Sequence, residues 1–195
     1  MCETATSIIA LVTTIRAHMR LYGHFDIRLK GRCMEPFLIA GDVARITPIK
    51  QAIEGDICLI VLGDAVTLHR LVKINGADLL TKGDYSGHVE HIVSSGIVGL
   101  ATEFCFAGGS RWIEYKSSRD EKTHLAKLSL SLCMLQDCDD SYPLLDASLL
   151  NETRNIDSSS HEHRQDIRRE IWNLNQSIRA RLDGGFLAEK KKLFI

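Results

Sequence analysis

The stretch "DICLIVLGDAVTLHRLVKINGADLLTKGD", residues 56–84, decides the fold. It holds three apolar runs rich in Val, Ile and Thr, which are residue types that favour β-strands. Gly63-Asp64 and Asn75-Gly76 lie between the runs. Such pairs supply the positive φ angles and the side-chain-to-backbone hydrogen bonds that tight turns require. The stretch therefore predicts consecutive short strands joined by tight turns.

The same pattern continues on both sides of this stretch. "DVARITPI" at 42–49 and "HIVSSGIVGLATEF" at 91–104 are further apolar runs, and Gly-Asp pairs at 41–42 and 55–56 separate the earlier ones. Several short strands at this spacing are typical of a small all-β domain. Residues 26–106 are therefore predicted to form a mainly β domain with a curved, partly closed sheet.

An amphipathic helix is predicted before the β domain, within residues 1–25. Apolar residues recur there at helical spacing, at Ile8, Val12, Ile15 and Met19. The apolar run at 7–15 is shorter than the ~20 residues that span a bilayer, so no transmembrane segment is expected. This helix is expected to pack on its own domain; the alternative is that residues 5–20 contact a membrane surface or a partner protein.

A helical extension is predicted for residues 107–195, which makes the fold class α+β. One apolar stripe runs along its last helix: Ile167, Ile171, Leu174, Ile178 and Leu182. "DGG" at 183–185 is expected to end that helix. The stripe either covers the core of the β domain or forms a homodimer interface, and its spacing does not distinguish the two.

Composition and cysteine spacing argue against nucleic acid, disulfides and a bound metal. The chain is 45% hydrophobic and 25% charged with a net charge of −1, so no overall field attracts nucleic acid. Six cysteines occur without C-x-x-C spacing or a signal peptide, which favours free thiols and a cytoplasmic location. Cys133 with Cys138, and "HEH" at 161–163, are isolated signals. No metal and no cofactor are therefore expected.

The β region carries the parts of a nucleophilic hydrolase. Cys33 precedes a turn that Pro36 fixes, and strand alternation puts Thr67 and His69 on one face. A thiol needs a neighbouring base to become a thiolate, and an imidazole needs an acid to fix its tautomer. The alternative for each residue is structural: a small buried thiol, a core histidine and turn aspartates such as Asp84.

Order and spacing add a resemblance to a known family. "GRCMEPFLIAGD" (31–42), "EGDICLI" (54–60), "HRLVKI" (69–74) and "LLTKGD" (79–84) follow one another along the chain. Together they resemble the signal-peptidase and LexA-like protease superfamily over roughly residues 28–104. That family has a nucleophile box, two Gly-Asp turns, a strand bearing the base and a Lys-Gly-Asp turn, in this order. The resemblance implies a compact, curved β fold.

The resemblance also implies roles for single residues. Cys33 takes the place of the nucleophilic serine, and its backbone N–H is one donor of an oxyanion hole. His69, followed by Arg70, matches the general base of the endoplasmic-reticulum and archaeal type. Asp84 or Glu90 would orient the imidazole, and the pattern leaves that choice open.

From the same resemblance, substrate contacts are expected for Met34, Pro36 and Arg70, and structural roles in turns for Asp42 and Asp56. The function implied is that of a soluble signal-peptidase-like endopeptidase, which cleaves a peptide bond in a protein or peptide substrate. Maturation of a precursor by removal of a leader peptide is one setting for it. The alternative is a catalytically inactive protease-fold module that binds a peptide or a partner protein.

Overall fold

A computed structural model of the chain describes residues 3–86, 88–135 and 161–192. In this part of the chain, eight β-strands form one antiparallel sheet. The strands are β1 (Phe25–Arg28), β2 (Val43–Thr47), β3 (Ile57–Leu62), β4 (Ala65–Asn75), β5 (Asp78–Lys82), β6 (Glu90–Val93), β7 (Ile97–Cys105) and β8 (Ile113–Glu114). The mainly β fold with flanking helices, predicted from the sequence, is confirmed.

The sheet has the order β1-β2-β7-β3-β4-β5-β6, and β8 pairs with β7. Gly63 and Gly76 make the β3–β4 and β4–β5 turns with positive φ angles of 59° and 61°. The register shifts within the β2–β7, β3–β7 and β4–β5 pairs. Such irregularities bend strands and increase twist, which suits a sheet that curls into a half-barrel. Since β8 belongs to it, the sheet extends past residue 106 to Glu114.

The first helix, α1 (Glu3–Tyr22), packs on the sheet. Ile15 and Met19 are buried in the main core, and Val12 packs against it. Arg16 donates hydrogen bonds to the carbonyl oxygens of Ser95 and Ile97, 3.0 and 3.1 Å away. No helix in residues 3–86, 88–135 and 161–192 is long and apolar enough to cross a membrane.

Two further helices, α2 (Arg119–Leu135) and α3 (His161–Lys192), cover the same core. Ile167, Ile171 and Ile178 of the predicted stripe are buried there, together with Leu125 and Leu132 of α2. The stripe therefore covers the core, and the alternative of a homodimer interface through it does not fit its burial.

The predicted end of the last helix at residues 183–185 was wrong, because α3 continues to Lys192. The residues after the two glycines are mostly strong helix formers, among them Leu, Ala, Glu and Lys. Each glycine costs about 1 kcal/mol relative to alanine in a helix, an amount that favourable neighbours can offset.

Candidate active site

The loop between β1 and β2 holds Cys33 at the surface of the core. Met34 and Phe37 are fully buried on its inner side, and the Cys33 side chain is half-buried. The Leu38 N–H donates to the Met34 carbonyl at 3.0 Å, which closes a helical turn. Apolar anchors directly after the thiol therefore fix its backbone. Because Met34 has no exposed surface, the expected contact between Met34 and substrate does not fit this structure.

The Lys82-Gly83-Asp84 turn packs directly on Cys33. A Cβ atom on Gly83 would lie 2.7 Å from the Cys33 carbonyl oxygen, so this approach requires glycine. The Tyr85 N–H donates to the same carbonyl oxygen at 2.9 Å. This turn thus holds the Cys33 loop, residues 29–42, by its backbone.

The thiol of Cys33 faces strand β4. Its Sγ lies 3.7 Å from Thr67 Oγ1 and 3.5 Å from the carbonyl oxygen of Leu68, which can accept the S–H when the sulfur is protonated. Burial raises the pKa of the thiol, but the hydrogen bonds with His69 and Thr67 and the charge of His69 outweigh it. The pKa of Cys33 is therefore lower than that of an ordinary thiol.

The imidazole of His69 is in contact with a carboxylate and also interacts with the Cys33 thiol. Its Nδ1 is 3.0 Å from Glu90 Oε2, although the N–H direction is poorly aligned and the contact is best described as an ion pair. Burial lowers the pKa of the ring, but its interactions with Cys33 and Glu90 more than compensate and raise that pKa to about 9. Cys33, His69 and Glu90 thus form one linked set.

The shifts in pKa favour a thiolate–imidazolium pair. The pKa of Cys33 is lowered and that of His69 is raised to about 9, so a proton moves from sulfur to the ring more readily than in water. The pair is lost as the pH falls through the lowered pKa of Cys33, when the thiolate is protonated, and again as the pH rises through about 9, when the ring loses its proton. A thiolate beside an acid-supported imidazole can attack an electrophilic carbonyl carbon.

The second candidate acid, Asp84, has a different partner. Its two carboxylate oxygens accept hydrogen bonds from Arg70 at 2.8 and 2.6 Å, and Asn175 donates to it at 3.1 Å. Glu90, not Asp84, is the acid beside His69. Arg70 itself has no exposed surface, so its expected contact with substrate does not fit either. Its role in this structure is to neutralise Asp84.

The remaining Arg70 hydrogen bonds go to the Gly55 carbonyl oxygen, the Tyr115 hydroxyl and Asn175. They join the turn before β3, the chain after β8 and the last helix into one buried network. Burial lowers the pKa of Arg70, but the charge of Asp84 outweighs burial, so the net shift is upward and the guanidinium stays charged.

Helix α3 also secures the far end of the loop that carries Cys33. Arg179 donates to the Phe37 carbonyl oxygen and to Asp42 Oδ2, both at 2.6 Å. Asp42 in turn accepts from the backbone N–H groups of Ile39 and Ala107 at 2.9 and 2.7 Å. Asp42 and Asp56 both cap backbone N–H groups, as expected of turn aspartates.

Sequence reasoning missed Asn175 and Arg179 because they lie in the extension that carries no motif. A signal was present nevertheless. Asn175 interrupts the apolar stripe between Ile171 and Ile178, and Arg179 follows it by one helical turn. A polar residue inside an apolar stripe is expected to meet a buried polar partner, and here that partner is the Arg70–Asp84 pair.

Comparison of the chain with models of known protein families and with curated proteins finds no match in either set. A functional proposal for this chain therefore rests on the geometry and chemistry of the site.

Proposed function

We propose that this protein is a peptidase that hydrolyses a peptide bond through Cys33, with His69 as general base and Glu90 as the acid that supports it. The observation that carries the proposal is that the His69 ring lies 3.0 Å from the Glu90 carboxylate and also interacts with the Cys33 thiol, whose pKa is lowered. The signal-peptidase and LexA-like order of motifs supports the same chemistry.

The reaction follows from these groups in two steps. The Cys33 thiolate attacks the scissile carbonyl carbon, and the His69 imidazolium gives its proton to the leaving amine as the C–N bond breaks. This step leaves an acyl thioester on Cys33. His69 then removes a proton from water, whose oxygen attacks the thioester carbonyl carbon. The C–S bond breaks, the acyl part of the substrate leaves as a carboxylic acid, and the Cys33 thiolate and the protonated His69 are restored. The Cys33 backbone N–H would donate to the oxyanion in both steps.

The substrate in this proposal is a protein or peptide segment. An extended peptide presents its carbonyl groups to a surface loop such as that of Cys33, and removal of a leader from a precursor is the setting that the motif resemblance suggests. The competing proposal is a catalytically inactive module that binds a peptide or a partner protein without cleaving it.

Peptide cleavage tests the proposal directly. The protein is incubated with a proteome-derived peptide mixture, and new termini are sequenced by mass spectrometry. We expect cleavage that is abolished by prior alkylation with iodoacetamide and unchanged by EDTA. Absence of cleavage by the unmodified protein, or cleavage that survives complete alkylation of Cys33, would reject the mechanism.

A further inference from the structure

Two adjoining cavities lie beside the nucleophile loop, where α3 faces it. The smaller, of about 300 Å³, has mostly apolar and aromatic walls: Pro36, Tyr85, Leu132, Ile171 and Trp172. The larger, of about 420 Å³, shares Pro36 and Trp172 with it and continues along α3. We call the two together the Trp172 groove.

The groove begins next to Cys33. Pro36 follows Cys33 by three residues, and Tyr85, which also lines the groove, donates its backbone N–H to the Cys33 carbonyl oxygen at 2.9 Å. An extended peptide advances about 3.3 Å per residue and alternates its side chains. A side chain within a few residues of a scissile bond at Cys33 therefore reaches the groove.

The charges along the groove are mostly engaged within the protein. Glu35 pairs with Arg32 at 3.0 Å, Asp84 with Arg70 at 2.6 Å, and Arg179 with Asp42 at 2.6 Å. Asp84 is moreover nearly inaccessible. These pairs leave the apolar walls as the principal means of recognition.

Two large aromatic side chains remain exposed in the groove. Trp172 is 40% exposed and Tyr85 57% exposed, although both stand beside buried apolar residues. Aromatic side chains supply large contact area at low entropic cost, which suits them to binding. Trp172 lines both cavities, so a bound side chain in either would contact its indole.

We propose that the Trp172 groove is a specificity subsite that receives a large apolar side chain of the peptide substrate, such as leucine or phenylalanine. This inference rests on the proposed function. It assigns to the helical extension, through Trp172 and Ile171, the choice of which peptides reach Cys33.

Cleavage-site sequencing on the proteome-derived mixture tests the subsite. We expect the wild-type protein to enrich large apolar residues at one position within three residues of the scissile bond. Trp172→Ala should reduce that enrichment roughly tenfold while cleavage at Cys33 persists. Trp112→Ala, which removes the chain's other indole outside the groove, should leave it unchanged. Cleavage without such a preference, or a preference that Trp172→Ala retains, overturns the subsite but leaves the peptidase proposal standing.

A binding measurement separates the groove from the chemistry. In a Cys33→Ala, Trp112→Phe variant, Trp172 is the sole tryptophan and its fluorescence reports on the groove. The probes are acetyl-Ala-Ala-Xaa-Ala-Ala-amide peptides with Xaa as Leu, Phe, Ala, Lys or Glu. We expect Leu and Phe to bind roughly tenfold more tightly than Ala, Lys or Glu.

Tighter binding of the Leu and Phe peptides, together with a wild-type protein that cleaves no peptide, would reject the peptidase proposal. The groove would then remain an apolar peptide-binding site. Equal binding of all five peptides overturns the groove. Tighter binding of the Glu peptide also overturns it, because Arg168, another lining residue, would then be recognising an acid.

Discussion

Cys33→Ala is expected to reduce peptide cleavage on the order of 10³-fold or more, with no loss of fold. Alanine keeps the backbone N–H that would donate to the oxyanion but removes the only atom that forms the thioester. Because the Cys33 side chain is half-buried at the edge of the core, its truncation opens little internal volume. Initial rates on the peptide mixture, with circular dichroism as a check of folding, measure the effect.

Two further variants sharpen this prediction. His69→Ala should lose activity to a similar extent, because the thiol then lacks both its base and the cation that lowers its pKa. Cys105→Ala is the matched control, since Cys105 is another half-buried free thiol on the sheet. If Cys33→Ala cleaves peptides at more than half the wild-type rate, Cys33 is not the nucleophile.

Asp84→Ala is expected to lower the free energy of unfolding by about 3–5 kcal/mol. Arg70 is fully buried and keeps its charge, so removal of Asp84 leaves a guanidinium without its counter-ion in the core. Its hydrogen bonds to Gly55, Tyr115 and Asn175 offer dipoles but no charge. Urea unfolding followed by fluorescence measures the loss.

Asp26→Ala is the control for that experiment. Asp26 also pairs with an arginine, accepting hydrogen bonds from Arg45 at 3.0 and 3.2 Å, but its side chain is 34% exposed. Exposed pairs contribute roughly 0.2–1 kcal/mol, so the loss should be small. Where Asp84→Ala fails to fold, Asp84→Asn keeps the shape and removes only the charge. Equal losses for Asp84 and Asp26 would contradict a buried structural ion pair.

Short-range chemistry made much of the β region predictable from sequence. The turns at Gly63 and Gly76 require positive φ angles, and the apolar runs between them have strand composition, so β3, β4 and β5 follow from local rules. Alternation along β4 likewise predicted that Thr67 and His69 share a face, and both interact with the Cys33 thiol.

Long-range partners were harder to predict because no local rule selects them. Both Asp84 and Glu90 are acids near the end of the same motif, and only the packed structure shows that Arg70 and Asn175 engage Asp84. Arg70 follows His69 in sequence, yet strand alternation sends it into the core. The sequence pattern identifies a motif's residues, whereas their roles depend on neighbours up to 142 positions away.

The most direct test of a His69-activated Cys33 is its alkylation rate as a function of pH. Iodoacetamide labelling is followed at each cysteine by mass spectrometry, with Cys105 as the internal control. At pH 7 we expect Cys33 to react roughly tenfold faster than Cys105, and this advantage to shrink in His69→Ala. In Glu90→Gln the pKa of His69 should fall below about 9. The pair between the Cys33 thiolate and the His69 imidazolium should therefore be lost at a lower pH than in the wild type. A Cys33 that reacts no faster than Cys105, and equally in wild type and His69→Ala, would contradict the account.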